Sequence, residues 1–258
     1  MYQEIIFSTE DRVAFIKMNR EKVLNAMNKE MVDEIRDVIT NISSSTDVKV
    51  LVITGSNKVF SAGADISGAS GINSPEKAYK FSKIYQDLFR EIEKLPIPVI
   101  AAISGYALGA GAELALSCDL RVASETAKFG LPEIDLGGFP AGGGTQKLPR
   151  LVGASKAKEI LFTGKPLSAE EVYKLGIFDH IYPLDEYFVK AKDLASFISN
   201  KSGAALSTIK SLVNEGLRMD IEAALEFESK SFAALSTSHD FEEGRRAFLE
   251  KRKPVFKN

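Results

Sequence analysis

Cysteine is almost absent: one residue in 258, Cys118. A single thiol excludes an intramolecular disulfide and a cysteine-based metal cluster. Cys118 lies in an apolar stretch and reads as a small core residue. Histidine is nearly as scarce. His180 and His239 are far apart and neither belongs to a ligand-spaced set, so no metal site and no Ser-His-Asp triad is indicated. No run is long and apolar enough to span a bilayer. The start, Met1-Tyr2-Gln3-Glu4-Ile5-Ile6-Phe7, has neither a basic region followed by a long apolar run nor the Arg- and Ser-rich character of a transit peptide. A cytoplasmic protein without a membrane partner is expected. Charge of one sign is also missing: 33 basic side chains stand against 35 acidic ones, a net charge of −2. That balance, with no dense basic stripe, argues against nucleic acid as a partner.

The remaining composition is that of an ordinary globular chain, 45% hydrophobic and 26% charged. The length suits one large domain or a domain with an appendage. Ile5-Ile6-Phe7 and Val13 to Met18 read as a hairpin. Asn28 is placed to cap a helix whose apolar face is Met31, Val32, Ile35, Val38, Ile39 and Ile42. Val48 to Ile53 is a near-continuous β-branched run, expected as a strand buried on both faces. Gly55 to Ile66 reads as a loop, and Ser67 to Ser74 as a lid or variable loop. Ser74-Pro75-Glu76 starts a helix with Ala78, Phe81, Tyr85, Leu88, Phe89 and Ile92 on its apolar face. Leu120 to Ala123 and Ala127 to Phe129 are short strand candidates. After Gly153 helices dominate, apart from a short strand near Ile177 to Tyr182. Ser168-Ala169-Glu170-Glu171 forms a capping box. Strand–helix alternation followed by a helical tail indicates an α/β core with an α-helical C-terminal region.

The chemistry concentrates between Pro98 and Gln146. An apolar strand candidate leads into Gly105-Tyr106-Ala107-Leu108-Gly109-Ala110-Gly111, a run of small residues where backbone can approach a ligand closely. Glu113 then falls in a first helical turn, just after free N–H groups that favour an anion or an oxygen gaining charge. Glu133 follows Pro132 in a loop or short turn, and Pro140 to Thr145 leads into another helix. A lone Glu at a helix start usually complements the dipole. Here two carboxylates and two glycine-rich turns share a stretch with little other charge. A carboxylate in so apolar a setting must find a partner or shift its pKa, and shifted carboxylates serve acid–base catalysis.

Several phrases in series resemble the enoyl-CoA hydratase/isomerase (crotonase) family. They are Ile53-Thr54-Gly55, Phe60-Ser61-Ala62-Gly63-Ala64-Asp65-Ile66, Gly105 to Ala115, Pro132-Glu133-Ile134 and Gly142-Gly143-Gly144-Thr145-Gln146. The resemblance runs from Asn19-Arg20 to Phe248-Leu249-Glu250-Lys251-Arg252-Lys253. It implies a spiral of β-β-α turns over 1–195 that carries the active site, and a helical oligomerisation region over 196–258 that packs in trimers or hexamers. It implies an oxyanion hole from the N–H groups of Ala64 and Ala110, the second being commonly glycine in the family. It implies water addition to a 2-enoyl-CoA, with Glu113 activating water and Glu133 handling the α-carbon proton. Contacts to the CoA substrate are implied for Lys22, Val23, Leu24, Ala62, Asp65, Ile66 and Ser67, and for Phe248 and Lys251 reaching a neighbouring subunit. No cofactor is expected beyond the CoA of the substrate. A double-bond isomerase, a hydroxyacyl-CoA dehydratase and an RNA-binding protein on the same scaffold are the alternatives. Ser67 to Ser74 and Gly137-Gly138-Phe139 are expected to shape the acyl pocket.

Overall fold

A computed structural model describes residues 2–67 and 72–257. Strands β1 (Ile5–Glu10) and β2 (Val13–Met18) form the expected hairpin, turning through Asp11 and Arg12, both with positive φ. Helix α1 (Lys29–Ser43) is capped by Asn28, whose side chain accepts from Met31 N, and all six expected face residues are buried. Strand β3 (Val50–Thr54) is buried along its whole length.

From β3 onward the chain winds in repeated turns. Each turn places one strand in a main sheet, a short strand in a second sheet, and a helix. The first turn is β3, β4 (Val59–Ser61) and α2 (Pro75–Lys94). The second is β5 (Val99–Ile103), β6 (Tyr106–Leu108) and α3 (Ala110–Ser117). The third is β7 (Leu120–Ser124), β8 (Lys128–Gly130), a 3₁₀ turn at Pro132–Leu136 and α4 (Gly144–Val152). Helix α5 (Ala154–Thr163), β9 (Leu167–Ser168), α6 (Ala169–Lys174) and β10 (His180–Tyr182) follow, with the Ser168–Glu171 capping box in place. The main sheet has the order β1-β2-β3-β5-β7-β10, parallel except for β1. The second has the order β4-β6-β8-β9, with β4, β6 and β8 parallel. This is the expected spiral.

Main-sheet strands alternate between two cores, as the period of two requires. Leu51, Ile53, Ala101 and Ile103 face α1, α2 and the second sheet. Val50, Val52, Ile100 and Ala102 face Tyr187, Ala191 and Ala195 of α7 (Tyr187–Ser199). Position 195, the expected end of the spiral core, falls inside α7. Then α8 (Gly203–Gly216), α9 (Ile221–Leu235) and α10 (His239–Leu249) complete the chain. Lys210 of α8 reaches the end of α2, donating to Ile92 O and Ile97 O and pairing with Asp119 at 2.8 Å. Its ammonium group sits favourably at the carbonyl end of the α2 dipole. Otherwise α8 and α9 bury no residue in this chain.

Three expectations need correction. The Gly55–Ile66 loop contains β4, and the small-residue run after Gly105 contains β6. Ala78 is exposed, because the first turns of α2 overhang the protein instead of packing on its core. Of the proposed lid, Gly68 to Gly71 lie outside the described residues.

Candidate active site

Strands β4, β6 and β8 run parallel, so their C-terminal ends emerge at one edge, about 5 Å apart from strand to strand. The three segments that follow them meet there: 62–67, 109–113 and 131–136. Together with α2 and the Pro140–Gly144 turn they enclose a cavity of about 490 Å³. Ala62, Ala64, Asp65, Ile66, Ser67, Ala110, Glu113 and Glu133 all line it. Lys22, Val23, Leu24, Phe248 and Lys251 do not. Lys22 and Val23 lie in a 3₁₀ turn beside the first segment, where Leu24 O accepts from Ala62 N. Phe248 lies in the last turn of α10 and is largely exposed, with Lys251 just beyond the helix in left-handed conformation.

The backbone around Ala64 is fixed from the N-terminal side. Met27 N donates to Gly63 O at 2.7 Å and Asp65 N donates to Met27 O at 2.9 Å. In such a bridge the residue between turns its own N–H the other way, so Ala64 N–H points away from Met27. Asn25, fully buried, holds the adjoining loop by donating to Val59 O and Phe60 O. Arg20 Nη1 donates to Asp65 at 2.8 Å, and Asp65 also accepts from Ser67 N. The Ser67 hydroxyl donates to Asp65 as well, and these hydrogen bonds, from that hydroxyl first and Arg20 next, hold the Asp65 carboxyl below its usual range.

Ala110 is the first residue of α3, so its N–H is one of the helix's orphan donors. Gly109 before it has φ 52 and ψ −126, a backbone state that essentially only glycine adopts. A methyl built on Gly63 would lie 3.3 Å from Ala110 N. The Ala64 and Ala110 donors therefore flank one small space. A methyl on Gly109 would meet Glu133 Oε1 at 3.2 Å, which sets that carboxylate beside the same space.

Glu113 is 2% exposed. Its Oε1 accepts from Gly144 N at 2.7 Å, and Oε2 lies so close to Gly142 that a methyl there would be 2.5 Å away. Burial, the largest effect, pushes its pKa up to about 7; the Glu133 charge adds to the rise, while Gly144 N–H, Gly142 N–H and Lys147 oppose it. Glu133 is raised as well, again by burial. Its Oε2 is buried and has no hydrogen-bond partner among the described residues. The arrangement favours a neutral acid and an ionised carboxylate sharing one cavity.

Two residues near the carboxylates were not singled out as site residues in the sequence. Tyr85, read there only as part of an apolar face, lines the cavity and donates its hydroxyl to Met27 O at 2.8 Å. Burial pushes that phenol up to about 12, so it stays neutral. Gln86 donates to Ala141 O at 2.7 Å in the turn over Glu113. Their only local signal is a polar tip at or beside the apolar stripe of α2.

The profile of the enoyl-CoA hydratase/isomerase family matches residues 8–258. A crotonyl-CoA hydratase of Syntrophomonas wolfei is 41% identical over 256 residues, covering 99% of this chain and 98% of the relative. A short-chain-enoyl-CoA hydratase of Clostridium acetobutylicum is 40% identical over 98% of both chains. The crystal structure of an enoyl-CoA hydratase from Bacillus anthracis superposes with a TM-score of 0.95 at 35% identity, over 99% of both chains. With its spiral, its cavity and these full-length similarities, the chain belongs to the enoyl-CoA hydratase/isomerase family.

Proposed function

We propose that this protein is an enoyl-CoA hydratase, a lyase that adds water reversibly to 2-enoyl-CoA thioesters to give 3-hydroxyacyl-CoA. The observation that carries the reading is the convergence of Glu113, Glu133 and the N–H groups of Ala64 and Ala110 on one cavity. The two N–H groups hold the thioester oxygen as it gains enolate character. Glu113 orients a water and takes its proton as oxygen bonds to the β-carbon. Glu133 delivers a proton to the α-carbon. One proton enters each cycle on Glu133 and leaves on Glu113, so the pair returns to its starting state after one exchange with solvent.

Short acyl chains are the proposed substrates. The apolar wall of Phe81, Leu136 and Phe139 in a cavity of about 490 Å³ supports this, as do the names of the two bacterial hydratases. Lys22, Val23 and Leu24, beside the mouth, contact the CoA moiety in this reading, and CoA arrives as part of the substrate with no separate cofactor. The helices beyond α7 form the oligomer contact, which brings Phe248 and Lys251 to a neighbouring subunit's CoA. Ile209, Val213, Leu217, Ile221, Leu225 and Phe232 are exposed on α8 and α9 or between them, apolar side chains that an oligomer contact would cover. A cytoplasmic setting is part of the proposal; among the described residues no helix is long and apolar enough to cross a membrane.

The test is loss of enoyl-thioester absorbance with crotonyl-CoA, in the wild type beside Glu113→Gln and Glu133→Gln. Each variant is expected to lose a factor of about 10²–10⁴ in kcat. A folded wild type that does not hydrate crotonyl-CoA overturns the reading. Survival of 3-enoyl isomerisation in Glu113→Gln, with no hydration in the wild type, would point to an isomerase that needs Glu133 alone.

A further inference from the structure

The Glu113 carboxylate depends on a turn that has no regular structure of its own. Residues 140–143 precede α4, and Gly143 has φ +124, outside the range of other residues. The turn supplies Gly144 N–H to Glu113 Oε1 and packs Gly142 against Oε2. Such a glycine-rich segment keeps its shape only if something outside it holds it, because its own backbone resists little. On the α4 side Lys147 is anchored to Glu93 and to Ser117 Oγ, each at 2.6 Å. On the other side Gln86 of α2 donates its amide to Ala141 O, one residue before Gly142.

Gln86 is half-buried and off the apolar stripe of Tyr85, Leu88, Phe89 and Ile92. It borders a second groove of about 440 Å³ shared with Arg90, Glu93, Gly142, Gly143 and Lys147. Ala141 and Gly142 line the catalytic cavity on the other side of the same turn. Without the amide, Ala141 O loses its side-chain donor, and the turn is free to relax away from Glu113.

We propose that Gln86 is a positioning residue for hydration: its hydrogen bond to Ala141 O keeps the Gly142–Gly144 turn closed on the Glu113 carboxylate. The role rests on the hydratase reading of Glu113. It acts on catalysis through another residue, so it is separable from substrate binding. Glu113 ionised needs the turn's N–H groups more than Glu113 neutral does. Loosening the turn therefore raises the pH at which the carboxylate forms and lowers turnover, while CoA contacts elsewhere persist.

The experiment compares Gln86→Met, which keeps the shape and removes the donor, with wild type and Glu113→Gln. Crotonyl-CoA hydration is followed from about pH 5 to 9, and affinity for saturated butyryl-CoA is measured in parallel. Gln86→Met is expected to lower kcat about tenfold with KM within about threefold. The acid limb of its kcat/KM profile is expected to move to higher pH, and butyryl-CoA is expected to bind as in wild type. Gln86→Ala, which admits water to the carbonyl, should repeat the pattern. A Gln86→Met enzyme with wild-type kcat and acid limb overturns the positioning role. So does a kcat loss matched by equal loss of butyryl-CoA affinity, which marks general damage. A wild type that does not hydrate crotonyl-CoA instead overturns the hydratase reading, whereas a Glu113→Gln enzyme as active as wild type overturns the role of Glu113 in it; either result removes this proposal as well.

Discussion

Gly142→Ala tests the packing around Glu113 most directly. A methyl at Gly142 would lie 2.5 Å from Glu113 Oε2, 2.9 Å from Phe89 Cε2 and 3.0 Å from Glu113 Cδ. Ordinary contact begins near 3.4 Å, so the carboxylate or the turn must move by about 0.9 Å. Phe89 is fully buried and yields little, leaving Glu113 as the group displaced. A misplacement near 1 Å costs a catalytic group about 10² in rate, close to 2.7 kcal/mol of transition-state stabilisation. The overpacked interior costs a further 1–3 kcal/mol or so of folding stability. Crotonyl-CoA hydration and thermal unfolding measure the two separately. Gly138→Ala is the control, since the nearest atom to a methyl there is Glu133 O at 3.5 Å. A Gly142→Ala enzyme within threefold of wild-type kcat would refute the reasoning, because it would mean that the turn gives way without carrying Glu113 with it.

Ionising Glu113 in its buried site costs roughly 3 kcal/mol, given a rise from 4.5 to about 7. The folded pKa lies above the unfolded one, so the stability gained from neutral Glu113 is whole below pH 4.5 and lost as pH rises through 7. Glu113→Gln should therefore melt like wild type in mild acid and at a higher temperature near pH 8; an unchanged difference at both pH values refutes this. Asn25→Ala removes the side-chain hydrogen bonds to Phe60 O and Arg20 N and one of two to Val59 O, which keeps Ser56 N, and keeps a left-handed backbone at position 25. A loss of about 2–4 kcal/mol in denaturant unfolding is expected, and a change under 1 kcal/mol would show the loop to be held by other contacts. Leu217→Glu, placed on the apolar α8–α9 surface where Leu217 is 80% exposed, should reduce the mass seen by light scattering to that of a smaller species. An unchanged mass removes that surface from the oligomer contact.

The helices were legible because their signals are local. Asn28, Ser74 and Ser168 are caps within a few residues of the groups they satisfy, and the buried stripe of α1 repeats at helical spacing. Strands β4 and β6 were not, because each is embedded in a run of glycine and small residues that reads as loop, and both are made by pairing with strands far off in sequence. Val59-Phe60-Ser61 and Tyr106-Ala107-Leu108 look like loop because only their neighbours make them strand. Ala78 fits the apolar spacing of α2, but spacing says nothing about where a helix outruns its support. The site was partly legible for the same reason. Glycines beside Glu113 and Glu133 marked a place of close approach, whereas the contacts of Arg20 with Asp65 and of Gln86 with Ala141 join residues tens of positions apart.

The spiral has a consequence for how the protein acquires its activity in time. The three segments that meet at the cavity follow β4, β6 and β8, and none is adjacent to the next in the chain. Each is brought into place only when parallel pairing between successive turns is complete, and such pairing is slow because long loops must close before any contact rewards them. The helices form their own hydrogen bonds early, but α3 with Ala110 and Glu113 completes no site until the other segments arrive. On refolding, helical signal should therefore return before hydration does, and the interval between them measures the time that β4, β6 and β8 take to find one another.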